Sequence, residues 1–213
     1  MSAARWPVGD PMSLRGPRRI VVIGIALFMA AVIPGYVRTF VIVGDSDAPE
    51  FATGDRVLVS LAAYDFRVPY GNRRMFRLAD PRPGDMALIR LMDGRLAVKR
   101  IVAEPGTRIA MRDNHVTIDG VALKYVAVTP REKEAISRGG LSPVVEIERG
   151  NGPEVYVSFG HGGSLADFEE QVVPEGHYFV LGSNRDASMD SRQLGALPRE
   201  RILGKIIGRI GTG

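Results

Sequence analysis

The sequence has 213 residues, a net charge of +4 at neutral pH, 45% hydrophobic and 24% charged residues, enough for one large domain or two small ones. It contains no cysteine, which excludes thiol nucleophiles, disulfides and thiolate metal sites. The three histidines, His115, His161 and His177, lie far apart and show no ligand spacing, so no metal and no cofactor is expected.

Charge is unevenly placed. Arg5, Arg15, Arg18 and Arg19 against Asp10 give residues 1–19 a net +3, leaving +1 for the remaining 194. A nucleic-acid binder needs a basic face on its folded part, and this balance does not supply one. Ile20 to Val37 then reads as eighteen residues without a charge. As a helix this run spans about 27 Å, close to the hydrocarbon core of a bilayer. It ends in Ile33-Pro34-Gly35-Tyr36, a poor cleavage site, so an uncleaved anchor is expected over residues 20–37. The arginine excess ahead of it puts residues 1–19 in the cytoplasm and everything after Arg38 outside.

Beyond the anchor the pattern changes to short strands. Arg56 to Ser60, Met86 to Arg90, Leu96 to Ala103, His115 to Ile118 and Tyr178 to Leu181 are β-branched or alternating runs. Turn formers bound them: Gly54-Asp55, Pro83-Gly84-Asp85, Asp93-Gly94, Pro105-Gly106 and Asp119-Gly120. One helical turn is expected at Glu132 to Ser137, and the class is all-β. From Asp113 to Val173 the sequence turns polar and Gly-rich, which predicts an inserted subdomain or long loops. No internal repeat appears.

Hydrolysis of a peptide by a hydroxyl nucleophile needs a base for its proton and donors for the oxyanion. With histidine so sparse, a lysine kept neutral by apolar surroundings can be the base. Lys99 sits in the apolar run LAVKRIV, where alternation puts it on one face with Ala97 and Ile101, and Arg100 on the other. His177 has no identifiable orienting partner for Ser/His/Asp catalysis and reads as a turn or strand-edge residue. Gly160-His161-Gly162-Gly163 lacks the Lys-Ser/Thr that completes a phosphate loop and reads as a flexible loop.

Four segments carry a more specific signal. Gly44-Asp45-Ser46-Asp47-Ala48-Pro49-Glu50-Phe51 through Gly54-Asp55 resembles the nucleophile segment of bacterial type I signal peptidases, roughly Gly-Asp-Ser-Met-x-Pro-Thr-Leu-x-x-Gly-Asp. Pro83-Gly84-Asp85 with its apolar strand is similar to the next box, and Val98-Lys99-Arg100-Ile101-Val102 with Pro105-Gly106 to the lysine box. Gly182-Ser183-Asn184-Arg185 through Ser188-Met189-Asp190-Ser191-Arg192 is similar to the last, Gly-Asp-Asn-Arg-x-x-Ser-x-Asp-Ser-Arg. The four occur in family order after an anchor, over roughly residues 20–210.

The resemblance implies a membrane-bound endopeptidase of the bacterial cytoplasmic membrane that removes signal peptides from secreted preproteins, cutting after small residues of Ala-x-Ala type. It implies Ser46 as nucleophile, Lys99 as general base, Ser188 as the group that orients the lysine, and Asp190 with Arg192 as a bracing ion pair. The oxyanion would be met at Gly44 and Ser46 by the Ser46 backbone N–H, with no side-chain donor at Gly44. Asp47, Phe51, Ala97 and Val98 would lie along the substrate. The implied fold is a signal-peptidase-like β core, residues 38–112 and 174–213, with a β subdomain inserted at 113–173, on one transmembrane helix. Partners would be preproteins and the bilayer, with no nucleic acid.

Three positions depart from the pattern. Asp47 replaces methionine beside the nucleophile, Glu50 stands where threonine is usual, and Ser183 replaces the first aspartate of the last box. An anion near a lysine favours its protonated form, which opposes its use as a base. Two other readings therefore stand beside the first: a related peptidase dedicated to one substrate such as a pilin, and a catalytically silent, membrane-tethered module that binds signal peptides.

Overall fold

The computed structural model describes residues 17–71, 73–136, 144–150, 152–160 and 167–211. The basic tail before residue 17 and the histidine-glycine run at 161–163 lie outside them. In chain order a helix α1 (Pro17–Tyr36) leads into β1 (Val37–Val41), β2 (Arg56–Ser60), β3 (Asp65–Arg67), β4 (Arg74–Arg77), β5 (Met86–Arg90) and β6 (Leu96–Ala103). There follow β7 (Arg108–Arg112), β8 (His115–Ile118), β9 (Val121–Ala122), β10 (Lys124–Ala127), the short helix α2 (Pro130–Ile136), β11 (Val144–Arg149) and β12 (Val155–Phe159). The last elements are β13 (Phe168–Val172), β14 (His177–Leu181), one turn of helix α3 (Ser191–Leu194), β15 (Leu197–Pro198) and β16 (Ile202–Gly211).

The chain is mostly β, as the short alternating runs predict, and five of the strands stand within a residue of their expected bounds. A seven-stranded sheet in the order β1-β2-β16-β5-β6-β14-β15 holds all four motif segments or their flanks. The polar stretch after Asp113 is not loop alone. It forms the three-stranded sheet β10-β11-β12 and strands of a four-stranded sheet, β13-β7-β8-β9.

Register follows from turn chemistry. The Asp93-Gly94 turn closes the β5–β6 hairpin: Gly94 adopts φ 88°, open to glycine at no steric cost, and the Asp93 carboxylate accepts the Arg95 N–H at 2.9 Å. That turn sets Ile89 opposite Ala97, Leu88 opposite Val98 and Ala87 opposite Lys99. A one-residue slip would send every side chain to the other face, so this turn decides where Lys99 points.

Two buried clusters back the strand pair from opposite sides. Ala87, Ile89, Ile101, Tyr178, Val180 and Ile202 form one; Ile42, Phe51, Val57, Leu88 and Val98 belong to the other. Burying side chains of this size contributes about 1.5–3 kcal/mol each. A third cluster, with Ile109, Met111, Val116, Phe179 and Leu181, joins β7 and β8 to β14.

The helix ends at Tyr36, and Val37, read from sequence as the last anchor residue, opens β1 instead. The apolar side chains of α1 from Ile20 to Met29 are exposed. Over the described residues alone, no helix is long and apolar enough to cross a membrane.

Candidate active site

The two ends of the Gly44-to-Asp55 loop are tied together just beyond β1 and β2. Ile42 N–H donates to the Asp55 carbonyl and Gly54 N–H to the Ile42 carbonyl, at 2.8 and 2.9 Å. Inside it, Ala48 N–H reaches the Asp45 carbonyl and Phe51 N–H the Asp47 carbonyl, while Thr53 Oγ1 donates to the Asp45 carboxylate. The last motif holds the loop from the other side: Asn184 N–H donates to the Ser46 carbonyl at 3.1 Å, and Ser158 Oγ of β12 donates to the Ala48 carbonyl at 3.2 Å. Ser46 is thus fixed by three separate parts of the chain.

Lys99 enters from β6 and is 1% exposed. Its Nζ donates to Ser46 Oγ at 2.7 Å, to Asp47 Oδ2 at 3.0 Å and to its neighbour's carbonyl, Val98 O, at 2.7 Å. Ser46 Oγ in turn donates to Asp47 Oδ2 at 2.7 Å. A hydroxyl, an amine and a carboxylate therefore meet in one triangle, within the reach that proton transfer requires. Burial pushes the Asp47 carboxyl above its usual range, against the attraction of Lys99 and the Ser46 hydrogen bond. Its second oxygen, Oδ1, is buried and has no hydrogen-bond partner.

The lysine contact expected from Ser188 is absent. All three Lys99 contacts go elsewhere, and Ser188 Oγ is buried without a hydrogen-bond partner. It packs instead against Gly182, where a Cβ would stand 2.2 Å from it and 2.4 Å from the Ser46 carbonyl oxygen. Glycine at 182 is what lets β14 approach the nucleophile loop.

Asp190 and Arg192 form a bidentate pair, Nε to Oδ1 at 2.8 Å and Nη2 to Oδ2 at 2.9 Å. Asp190 also caps α3 and accepts the Gly182 N–H at 3.0 Å. Burial would raise this carboxyl, but the Arg192 hydrogen bond and charge outweigh it and hold it below the carboxylate range. Arg185 lies in the same loop, bonded to the Gly182 carbonyl at 3.2 Å and to Glu148 of β11 at 2.7 Å. Burial would likewise raise Glu148, yet Arg185 and the Tyr125 hydroxyl hold it low. Nothing in the spacing of Tyr125, Glu148 and Arg185 marks them as partners, because three different elements bring them together.

A groove of about 330 Å³ opens beside Ser46 and Lys99, with Phe40, Ile42, Leu88, Ala97 and Val98 among its walls. Ala97 and Val98 were expected there from sequence. Phe51 is not on the wall: it is buried behind it, packed with Ile42 and Val98. Phe40, Ile42 and Leu88 carried no sequence signal, since an apolar strand residue reads as core until the groove is seen. His177 sits at the start of β14, its Nδ1 near the Glu175 carbonyl at 2.9 Å, away from the triangle. Among the described residues no group of three or more His, Asp or Glu could hold a metal.

Comparison with known proteins identifies the family. The family profile described as "Signal peptidase, peptidase S26" matches residues 17–210. Signal peptidase I of Pseudomonas fluorescens is 29% identical over 195 residues, covering 84% of this chain and 66% of the relative, just under two thirds of its length. Signal peptidase I T of Bacillus subtilis is 28% identical, covering 84% of this chain and 77% of the relative. A crystal structure of a signal peptidase I from Enterococcus faecalis aligns with a TM-score of 0.38 and 24% identity, over 61% of this chain and 98% of that one. With the four ordered motifs and a profile match spanning almost the whole chain, this protein belongs to the signal peptidase family, peptidase S26.

Proposed function

We propose that this chain is a membrane-anchored serine endopeptidase that removes signal peptides from preproteins, with Ser46 as nucleophile and Lys99 as base. The observation that carries the reading is the 2.7 Å contact between Lys99 Nζ and Ser46 Oγ at the end of an apolar groove. Lys99 in its neutral form takes the Ser46 proton as Oγ bonds to the scissile carbonyl carbon, and the carbonyl electron pair moves onto oxygen. The Ser46 N–H meets that oxyanion; Gly44 offers no side-chain donor. As the C–N bond breaks, the leaving amine takes the proton from Lys99, and water then hydrolyses the ester on Ser46.

The walls at Ala97 and Val98 suit an extended segment with small side chains near the cut, docked alongside the sheet edge. The anchor rests on the uncharged run Ile20 to Val37, its arginine flank and the exposed apolar surface of α1. That topology gives a cytoplasmic N-terminus and an extracytoplasmic site.

The test is cleavage of an Ala-x-Ala preprotein in detergent by the wild type, Ser46→Ala and Lys99→Met. Cleavage by the wild type that both substitutions abolish supports the reading, and a panel of preproteins separates a general enzyme from one dedicated to a single substrate. The Asp47 contact favours a second reading, a tethered binder, because an anion at 3.0 Å opposes a free base. Binding of a signal peptide without any turnover by the wild type would establish it.

A further inference from the structure

Asp47 is a departure from the family pattern placed where the chemistry happens. Its Oδ2 touches both reacting side chains, Ser46 Oγ at 2.7 Å and Lys99 Nζ at 3.0 Å, while the hydroxyl expected to orient the lysine, on Ser188, reaches neither. Asp47 is 2% exposed and Lys99 1%. A buried charge persists only when paired, and among the described residues each other charge near the loop has its own partner. Glu50 pairs with Arg100 of β6, Asp190 with Arg192, and Arg185 with Glu148; Asp45 takes the Thr53 hydroxyl. Lys99 is the cation left facing Asp47.

We propose that Asp47 completes a Ser46–Lys99–Asp47 triad, orienting the amine in place of Ser188 and stabilising the ammonium formed when Lys99 takes the Ser46 proton. This rests on the dyad reading above. The logic is that of the carboxylate in a Ser-His-Asp triad, which fixes the base and stabilises its cation without itself becoming protonated. The proposed cycle starts from Lys99 as ammonium and Asp47 as carboxylate, a pairing that offsets the burial opposing the Asp47 charge. Loss of one proton to solvent frees the amine. Attack then moves the Ser46 proton onto Nζ, recreating the ammonium beside Asp47, and leaving-group departure takes that proton away. Charge and protons balance at each step.

The arrangement trades protonation against rate. A carboxylate beside a lysine holds the lysine's proton to higher pH, which pushes the acid limb of activity upward. The same attraction is strongest when positive charge develops on Nζ, which raises the plateau. A side chain that merely filled space would move neither.

The experiment is the pH profile of kcat/KM for the full chain in detergent, from about pH 5 to about pH 10, comparing wild type with Asp47→Asn and Asp47→Met. The expected result is an acid limb displaced to lower pH in both variants, with plateaus about 10- to 100-fold lower. An unmoved limb, or a plateau that rises, overturns the proposal. A readout that needs no substitution at 47 guards against misfolding. The sequence has four lysines, Lys99, Lys124, Lys133 and Lys205, so ¹⁵N-lysine spectra resolve few side-chain signals, and Lys99→Met assigns the one of interest. A protected ammonium at neutral pH supports the pair; a neutral amine there overturns it. If the wild type cuts nothing, or Ser46→Ala still cuts, the dyad reading itself fails and this role with it. Dyad-dependent cutting with an unmoved limb removes Asp47 alone.

Discussion

At the scale of single residues, the site is decided by what fits between three backbones. A Cβ on Gly182 would lie 2.4 Å from the Ser46 carbonyl oxygen, a fixed backbone atom that cannot swing aside. Gly182→Ala is therefore expected to shift the nucleophile loop, costing about 1–3 kcal/mol of stability, and to slow cleavage by about 100-fold or more. Thermal melts and preprotein cleavage together check this, and an unaltered rate would refute it. Ser188 stands in contrast. Its hydroxyl makes no hydrogen bond to Lys99 or Ser46 and at most a weak contact with Asp190, so the effect of Ser188→Ala on rate is expected to be smaller than that of Asp47→Asn. Measuring both under one set of conditions orders the two residues directly. Neither expectation is legible in the sequence, where Ser188 and Asp190 sit in one motif and Asp47 is only a mismatch. Which hydroxyl or carboxylate reaches Lys99 depends on how a loop is folded over β6.

At the scale of elements, two departures from the family pattern turn out to touch. Arg100 of β6 is buried and pairs with Glu50, and Ser183 Oγ donates to the same Glu50 Oε2 at 3.4 Å. The pattern this chain resembles has threonine at the first position and aspartate at the second, whereas here the carboxylate beside Arg100 comes from Glu50 of the Ser46 loop. Glu50→Thr is expected to strand the guanidinium and to cost about 1–3 kcal/mol, below the value for a fully buried pair because the Glu50 side chain is 29% exposed. Adding Ser183→Asp should recover most of that loss, read as the midpoint of urea unfolding. Additive losses in the double variant would show that the two sites are independent. The β5–β6 hairpin shows the opposite degree of legibility. Alternation and one Asp-Gly turn fix its bounds, register and the face of Lys99 from the sequence alone.

At the scale of the whole molecule, buried carboxylates held by arginines tie stability to pH. Asp190 and Glu148 titrate below their ordinary values in the folded state, so their stabilisation is complete above the range of the unfolded chain. It is lost as pH falls through the lower, folded values. The melting temperature is expected to drop below about pH 4, and Asp190→Asn to start from a lower value and fall less. A melt series across that range decides it. The sequence made the sheet legible where β-branched or apolar runs are bounded by turn formers, as in β5, β6 and β14, and hid it where strands are interrupted or merged with another signal. Val37, the first residue of β1, closes the uncharged run and reads as the end of the anchor, and Arg38 to Val41 gave no strand signal. The strands β10 to β12 lie in the stretch read only as an inserted subdomain or long loops, although β12 is mostly buried, and β16, ILGKIIGRIG, is broken by glycines and register shifts.

That hidden strand carries a consequence in time. β16 lies between β2 and β5, pairing residues 205–211 with 56–60 on one side and 202–205 with 87–89 on the other. The two halves of the catalytic sheet, one carrying the Ser46 loop and the other Lys99, are therefore joined by a segment synthesised about 100 residues after Lys99. Until β16 is made, the nascent chain has no continuous sheet to bring Ser46 and Lys99 together. Under the proposed Ser46–Lys99 reading, a chain cut before residue 202 is expected to show no cleavage, because nothing would then join the two parts of the sheet.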